Sequence, residues 1–162
     1  MTQLYNKKNK EQLIDDLHRE TFKRTTLSFY KYVKILKPNN LRDILYKREN
    51  KFHIKDFLLL KIPEIDIVVV NLYPFKKYSK EKNYDQIIEM IDIGGPSLLR
   101  AASKNFKYVT PVINPMDYTK LINNIKKNSG ETDINFRKKM AYQVFKEISN
   151  YDKKIAKWFS EI

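Results

Sequence analysis

Apolar residues along this chain follow two rhythms, and each rhythm predicts a different kind of element. Ile65 to Leu72 is a nearly continuous β-branched run, the signature of a strand buried on both faces, and Tyr108 to Ile113 repeats it. Thr25 to Ile35 instead alternates, with Leu27, Phe29, Val33 and Ile35 on one face, Lys31 interrupting, and Ser28, Tyr30, Tyr32 and Lys34 on the other, which predicts a half-buried strand. Helical spacing appears over Glu11 to Arg19 (Leu13, Ile14, Leu17), and again after Pro38, where Asn39 or Asn40 caps a helix carrying Leu41, Ile44 and Leu45. Phe52 to Ile62 reads as a partly helical connector, Lys76 to Lys82 as a charged loop, and Asn83 to Met90 as a short helix. Asn114-Pro115 starts a helix through Tyr118, Leu121 and Ile122 that stops at Gly130. Thr132 or Asp133 caps a longer one with Phe136, Met140, Val144 and Ile148, expected to break around Asn150 before a last helix bearing Ile155, Trp158 and Phe159. Residues 1–9 are polar and expected to fray. Strands alternating with helices give an α/β chain, a partial parallel sheet flanked by helices.

The sharpest local feature is Ile91-Asp92-Ile93-Gly94-Gly95-Pro96-Ser97-Leu98-Leu99-Arg100-Ala101-Ala102-Ser103-Lys104-Asn105. Only three glycines occur in the chain, and two stand here before a proline and a helix-forming run. Gly95 suits an N-cap, Pro96 the first helical position, and Leu98, Leu99 and Ala102 an inward face. A helix N-terminus aims unpaired N–H groups outward, so the turn at Gly94 and Gly95 is a candidate anion site. Arg100 and Lys104, four residues apart, share a face; like charges at that spacing cost about 0.2–0.5 kcal/mol, which an anion would offset. On helix geometry alone, a merely solvated face is the better explanation of the pair.

These residues also carry a resemblance. The Ile-Asp-Ile-Gly-Gly turn running into Ala-Ala-Ser-Lys-Asn is similar to the signature of the IMP cyclohydrolase domain of the bifunctional AICAR transformylase/IMP cyclohydrolase family. Val68-Val69-Val70-Asn71-Leu72-Tyr73-Pro74-Phe75 upstream matches a second block of that family in the family's order. Asn114-Pro115-Met116-Asp117-Tyr118, then Tyr151-Asp152 and Ile155-Ala156-Lys157-Trp158-Phe159, continue the pattern, so the resemblance spans residues 47–162. Residues 1–46 resemble a different family: Arg24-Thr25-Thr26-Leu27-Ser28-Phe29-Tyr30-Lys31-Tyr32, Pro38 and Leu41-Arg42-Asp43-Ile44-Leu45-Tyr46 are similar to the start of the rhodanese-type tRNA uridine hydroxylases. A fusion near Tyr46 or Lys47 is therefore expected, with a strand-helix segment at 1–46 and a partial cyclohydrolase domain at 47–162.

Composition narrows the remaining classes. Without cysteine there are no disulfides, thiolate metal sites or rhodanese chemistry, and the two histidines, His18 and His53, stand too far apart to argue for a metal. No apolar run approaches the roughly 18 residues of a membrane span, and the lysine- and acid-bearing N-terminus does not read as a signal peptide, so a cytoplasmic protein without membrane partners is expected. A net charge of +13 raises nucleic acid as a partner. The lysines are scattered among Ile and Asn from end to end, which points to compositional drift, and nucleic acid is not the expected ligand.

The resemblance implies a methylglyoxal-synthase-like fold, no cofactor, purine nucleotides (formyl-AICAR and IMP) as ligands, and a homodimer. The reaction closes a purine ring by attack of a carboxamide nitrogen on a formyl carbon, with loss of water. It needs positioning, charge stabilisation and a proton donor for the departing oxygen. Carried onto matching positions, the resemblance places catalytic roles at Lys104, Asp92 and Tyr73, and substrate binding at Val70, Asn71, Ile93, Gly94, Gly95 and Arg100. Taken alone, Asp92 can be a turn former, Tyr73 a packing residue and Asn71 a strand terminator. The family's Ser-Val-Ser-Asp-Lys-Thr-Gly strand and loop, its Ser-Thr-Gly-Gly-Thr loop, its Arg-Val-Lys-Thr-Leu-His-Pro segment and its transformylase domain have no counterpart in these 162 residues. Weak cyclohydrolase activity is thus expected, beside two alternatives: a non-catalytic module that completes a site with a partner chain, and a basic RNA-associated protein.

Overall fold

A computed structural model describes residues 2–5, 38–60, 64–75 and 83–162. The expected helix at Glu11 to Arg19, the alternating strand at Thr25 to Ile35 and the loop at 76–82 lie outside the described residues. The elements are β1 (Thr2–Tyr5), α1 (Pro38–Leu45), α2 (Lys51–Leu59), β2 (Ile67–Val70), α3 (Tyr84–Ile88), α4 (Gly94–Lys104), β3 (Thr110–Val112), a 3-10 turn (Pro115–Asp117), α5 (Tyr118–Lys127) and α6 (Ile134–Phe159). The architecture is α/β.

β2 is the centre of the sheet, parallel to β3 (Ile67 opposite Thr110, Val69 opposite Val112) and antiparallel to β1 (Thr2 opposite Val70, Tyr5 opposite Ile67). All four β2 residues are buried. Val68 and Val70 join Ile44, Leu98, Leu99, Ala102, Val144 and Ile148 on one face. Ile67 and Val69 meet Val112, Tyr118, Leu121, Ile122 and Ile125 on the other. This two-sided burial is the reason for the β-branched run: neither face of the strand has a place for a polar side chain.

Several expectations need correction. The opening residues do not all fray, because Thr2–Tyr5 pairs with the edge of β2 that β3 leaves open; backbone pairing of that kind needs no apolar pattern to announce it. α4 starts two residues earlier than the glycine-proline logic predicts, with Ile93 at the cap position and Pro96 two residues inside the helix. The Asp92 carboxylate moves the start by accepting the Gly95 N–H at 2.8 Å. α6 runs unbroken through Asn150. Its buried stripe of Val144, Ile148 and Tyr151 continues across that point, and packing outweighs the weak helix propensity of Ser149 and Asn150.

α1 belongs to the same core as the sheet. Ile44 is fully buried against α4, and Asn105, at the end of α4, donates from Nδ2 to the carbonyls of Ile44 (2.8 Å) and Tyr46 (2.9 Å). The Tyr46 ring stacks on Phe57 of α2 with centroids 4.0 Å apart. Arg48 reaches the start of β2, donating to Asp66 Oδ1 at 2.7 Å and to the Ile65 carbonyl at 3.2 Å. Chain on both sides of the Tyr46–Lys47 step is therefore fastened to one body. Among the described residues no helix is long and apolar enough to cross a membrane, and no cluster of three or more potential metal ligands occurs.

Candidate functional site

The C-terminal ends of parallel strands are where open α/β sheets place ligands, because the loops leaving that edge diverge and expose backbone. Here two loops meet at that edge, the one after β2 (Asn71, Leu72, Tyr73, Pro74, Phe75) and the one before α4 (Ile91, Asp92, Ile93). Asn71 follows Val70 directly, and its Oδ1 accepts a hydrogen bond from the hydroxyl of Tyr118, whose ring is fully buried. The Phe75 N–H donates to the Tyr73 carbonyl at 2.8 Å, a tight turn that leaves Tyr73 exposed while Phe75 is buried.

Asp92 joins the two loops. Its Oδ1 accepts the Gly95 N–H, its own N–H donates to the Tyr151 hydroxyl at 2.9 Å, and the Tyr73 main chain lies near enough to favour its charged form. Burial pushes its carboxyl above the usual carboxylate range, and the N–H groups of Gly95 and Tyr73 offset only part of that. Glycine is required at 95 by proximity. A Cβ there would lie 2.7 Å from Asp92 Oδ2 and 2.9 Å from Val70 Cγ1. A half-buried carboxylate that holds its proton more tightly than usual is suited to holding or passing a proton. Ile93 and Met116 stand exposed at the same sheet edge, 61% and 69%, as apolar side chains do elsewhere on the surface.

The structure thus gathers Val70, Asn71, Tyr73, Asp92, Ile93, Gly94 and Gly95, but it separates the two basic residues from them. Lys104 is exposed in the last turn of α4, ten residues past Gly94, which at 1.5 Å per residue puts it about 15 Å away along the axis. Arg100 points to α6 and pairs with Asp152 at 2.9 Å. The helix N-terminus is engaged as well, since the Gly95 donor already serves Asp92. Three residues went unselected in the sequence: Tyr118, Tyr151 and Met116. The first two read as core aromatics at helical spacing, and only their hydroxyl partners mark them.

A sheet edge with two converging loops, a glycine turn and a partly buried carboxylate is the kind of place where open α/β sheets bind small molecules. The residues 102–162 match the family model described as AICARFT/IMPCHase bienzyme. The bifunctional purine biosynthesis protein PurH of Caldicellulosiruptor saccharolyticus is 45% identical over 132 residues, covering 80% of this chain and 26% of that protein. PurH of Staphylococcus carnosus is 44% identical over 131 residues, with coverage of 80% and 26%. A solved structure, the crystal structure of ForH, superposes with a TM-score of 0.65 at 30% identity, covering 78% of this chain and 67% of that one. The chain is thus similar over most of its length to part of PurH, and over residues 102–162 to the AICARFT/IMPCHase bienzyme family. It spans about a quarter of the length of the curated relatives it matches. The 132 matched residues outnumber those from Lys47 to Ile162, so the likeness to PurH extends ahead of Lys47 into the segment that carries α1.

Proposed function

We propose that this chain binds a purine nucleotide at the edge formed by β2 and α4 and carries part of an IMP cyclohydrolase site, with Asp92 and Tyr73 at the reacting centre and Val70, Asn71, Ile93, Gly94 and Gly95 lining the base. The observation that carries this reading is the carboxylate of Asp92, held at a sheet edge by the Gly95 N–H. In ring closure it would hold the proton that leaves with the formyl oxygen, with Tyr73 on the adjoining loop as its partner. Purine biosynthesis is the named role of the PurH relatives.

Turnover by the 162-residue chain is slow in this reading. Holding substrate in a near-attack geometry is worth roughly 7–11 kcal/mol, and a nucleotide phosphate is the natural handle for it. The basic groups assigned to substrate do not reach the edge: Arg100 is engaged by Asp152, and Lys104 is a helix length away. Two measurements test the proposal. Amide shifts of residues 92–97 are followed by NMR during titration with IMP, and formyl-AICAR conversion is followed by absorbance. We expect shifts confined to the two loops and lost in Asp92→Ala, with a rate close to that of the uncatalysed closure and scarcely changed by Lys104→Ala. Unchanged shifts at millimolar IMP would remove the binding claim, and fast turnover silenced by Lys104→Ala would refute the geometric assignment.

A further inference from the structure

We infer that Tyr151, on α6, is a positioning residue for the Asp92 site, its hydroxyl fixing the main chain that carries the carboxylate while its ring braces the neighbouring loop. The inference rests on the proposed role of Asp92 and extends it to a residue that touches no ligand.

Tyr151 is 6% exposed, and its ring lies edge-on to Phe75 with centroids 6.3 Å apart. Phe75 also meets Trp158 edge-on at 6.1 Å, so Phe75, Tyr151 and Trp158 form a small aromatic core with Ile87, separate from the two that sandwich the sheet. Phenylalanine would pack there equally well, and the apolar surroundings give no reason for a hydroxyl. A buried hydroxyl is tolerated only with partners. Those partners are the Asp92 N–H, which it accepts at 2.9 Å, and the Met90 carbonyl at 3.4 Å, to which it donates. Burial pushes the phenol up to about 12, so the proton needed for that donation is present throughout the working range.

One side chain therefore holds both loops of the site. Its ring braces the β2 loop through Phe75, two residues past Tyr73, and its oxygen pins the α4 loop at Asp92. Between these anchors the Asp92 carboxylate is held by the Gly95 N–H, close to the Tyr73 main chain. With the hydroxyl gone, the Asp92 N–H has no acceptor, the loop opens to water, and the carboxylate loses both its orientation and its partly dry surroundings.

Tyr151→Phe removes only the hydroxyl, and Trp158→Phe disturbs the same aromatic core without reaching Asp92. Three readouts are taken on each: exchange of the Asp92 amide and the NMR titration of its carboxyl in the unliganded chain, and IMP affinity. For Tyr151→Phe we expect the Asp92 amide to exchange at least about tenfold faster, the carboxyl to titrate lower, towards the ordinary range, and IMP to bind about tenfold more weakly. Trp158→Phe should lower the thermal midpoint and leave all three as in the wild type. Wild-type exchange and titration in Tyr151→Phe, or the same changes in both variants, would overturn the inference. Failure of the wild type to bind IMP would instead remove the functional proposal, while exchange and titration still decide the role of Tyr151.

Discussion

Asn105 closes α4 and, by geometry, fastens α1 to the core, so its side chain should be worth far more than a surface amide. Its Nδ2 donates to the Ile44 carbonyl, which is buried, and to the Tyr46 carbonyl, which is partly so. Replacing Asn105 with alanine leaves the first acceptor unsatisfied, at about 1–3 kcal/mol, and removes from the second a bond worth about 0.5–1.5 kcal/mol net, since water can replace it there. The expected loss is about 1.5–4.5 kcal/mol. For a chain of this size that is roughly 3–18 °C in Tm. Asn105→Asp is the sharper variant, since it sets a carboxylate against two carbonyl oxygens. It should be less stable than the alanine at neutral pH and recover part of the difference on acidification, when a protonated carboxyl can donate to one of them. Urea midpoints at constant m give the magnitudes, and hydrogen exchange across residues 38–46 shows where the loss falls. An alanine variant within about 0.5 kcal/mol of wild type, or a full loss without faster exchange in 38–46, would refute the argument that Asn105 ties α1 to the sheet.

Gly95→Ala should destabilise by about 1–3 kcal/mol through overpacking and also abolish nucleotide-induced shifts, because its Cβ displaces either Asp92 or Val70; a urea midpoint and IMP response equal to wild type would contradict the close approach. The pH dependence of stability has a definite sign. The folded chain binds the Asp92 proton more tightly than the unfolded chain does, so between the ordinary carboxylate value and the raised one stability falls as pH rises, and it is level above. Urea midpoints from about pH 4 to 8 should show that slope for wild type and lack it for Asp92→Asn, and parallel profiles would contradict the burial argument.

The buried strands and the capped helices were legible because each rests on a local rule. β2 and β3 are apolar on both faces, Asn83, Asn114 and Asp133 accept N–H groups at helix starts as their residue types predict, and Ser129 and Gly130 take positive φ where a helix must stop. What escaped depends on distant partners. β1 exists through backbone pairing with a strand more than sixty residues away, and α6 stays straight because one buried stripe runs its length. The site divides the same way. Asp92, Gly95 and Tyr73 are visible as a motif, whereas Tyr118 and Tyr151 reveal their function only when their hydroxyls meet Asn71 and Asp92.

The motif from Ile91 to Asn105 joins two jobs that a linear reading merges. At its N-terminal end Asp92 and Gly95 build the site; at its C-terminal end Asn105 clasps the chain at Ile44 and Tyr46. Eleven helical residues lie between, and no side chain in the last turn can act at both ends. Lys104, next to Asn105, therefore stands on the scaffold side of this helix. Within this chain, the residues that decide whether the site forms are Asp92, which joins the loops, Gly95, which admits it, and Tyr151, which holds it from behind.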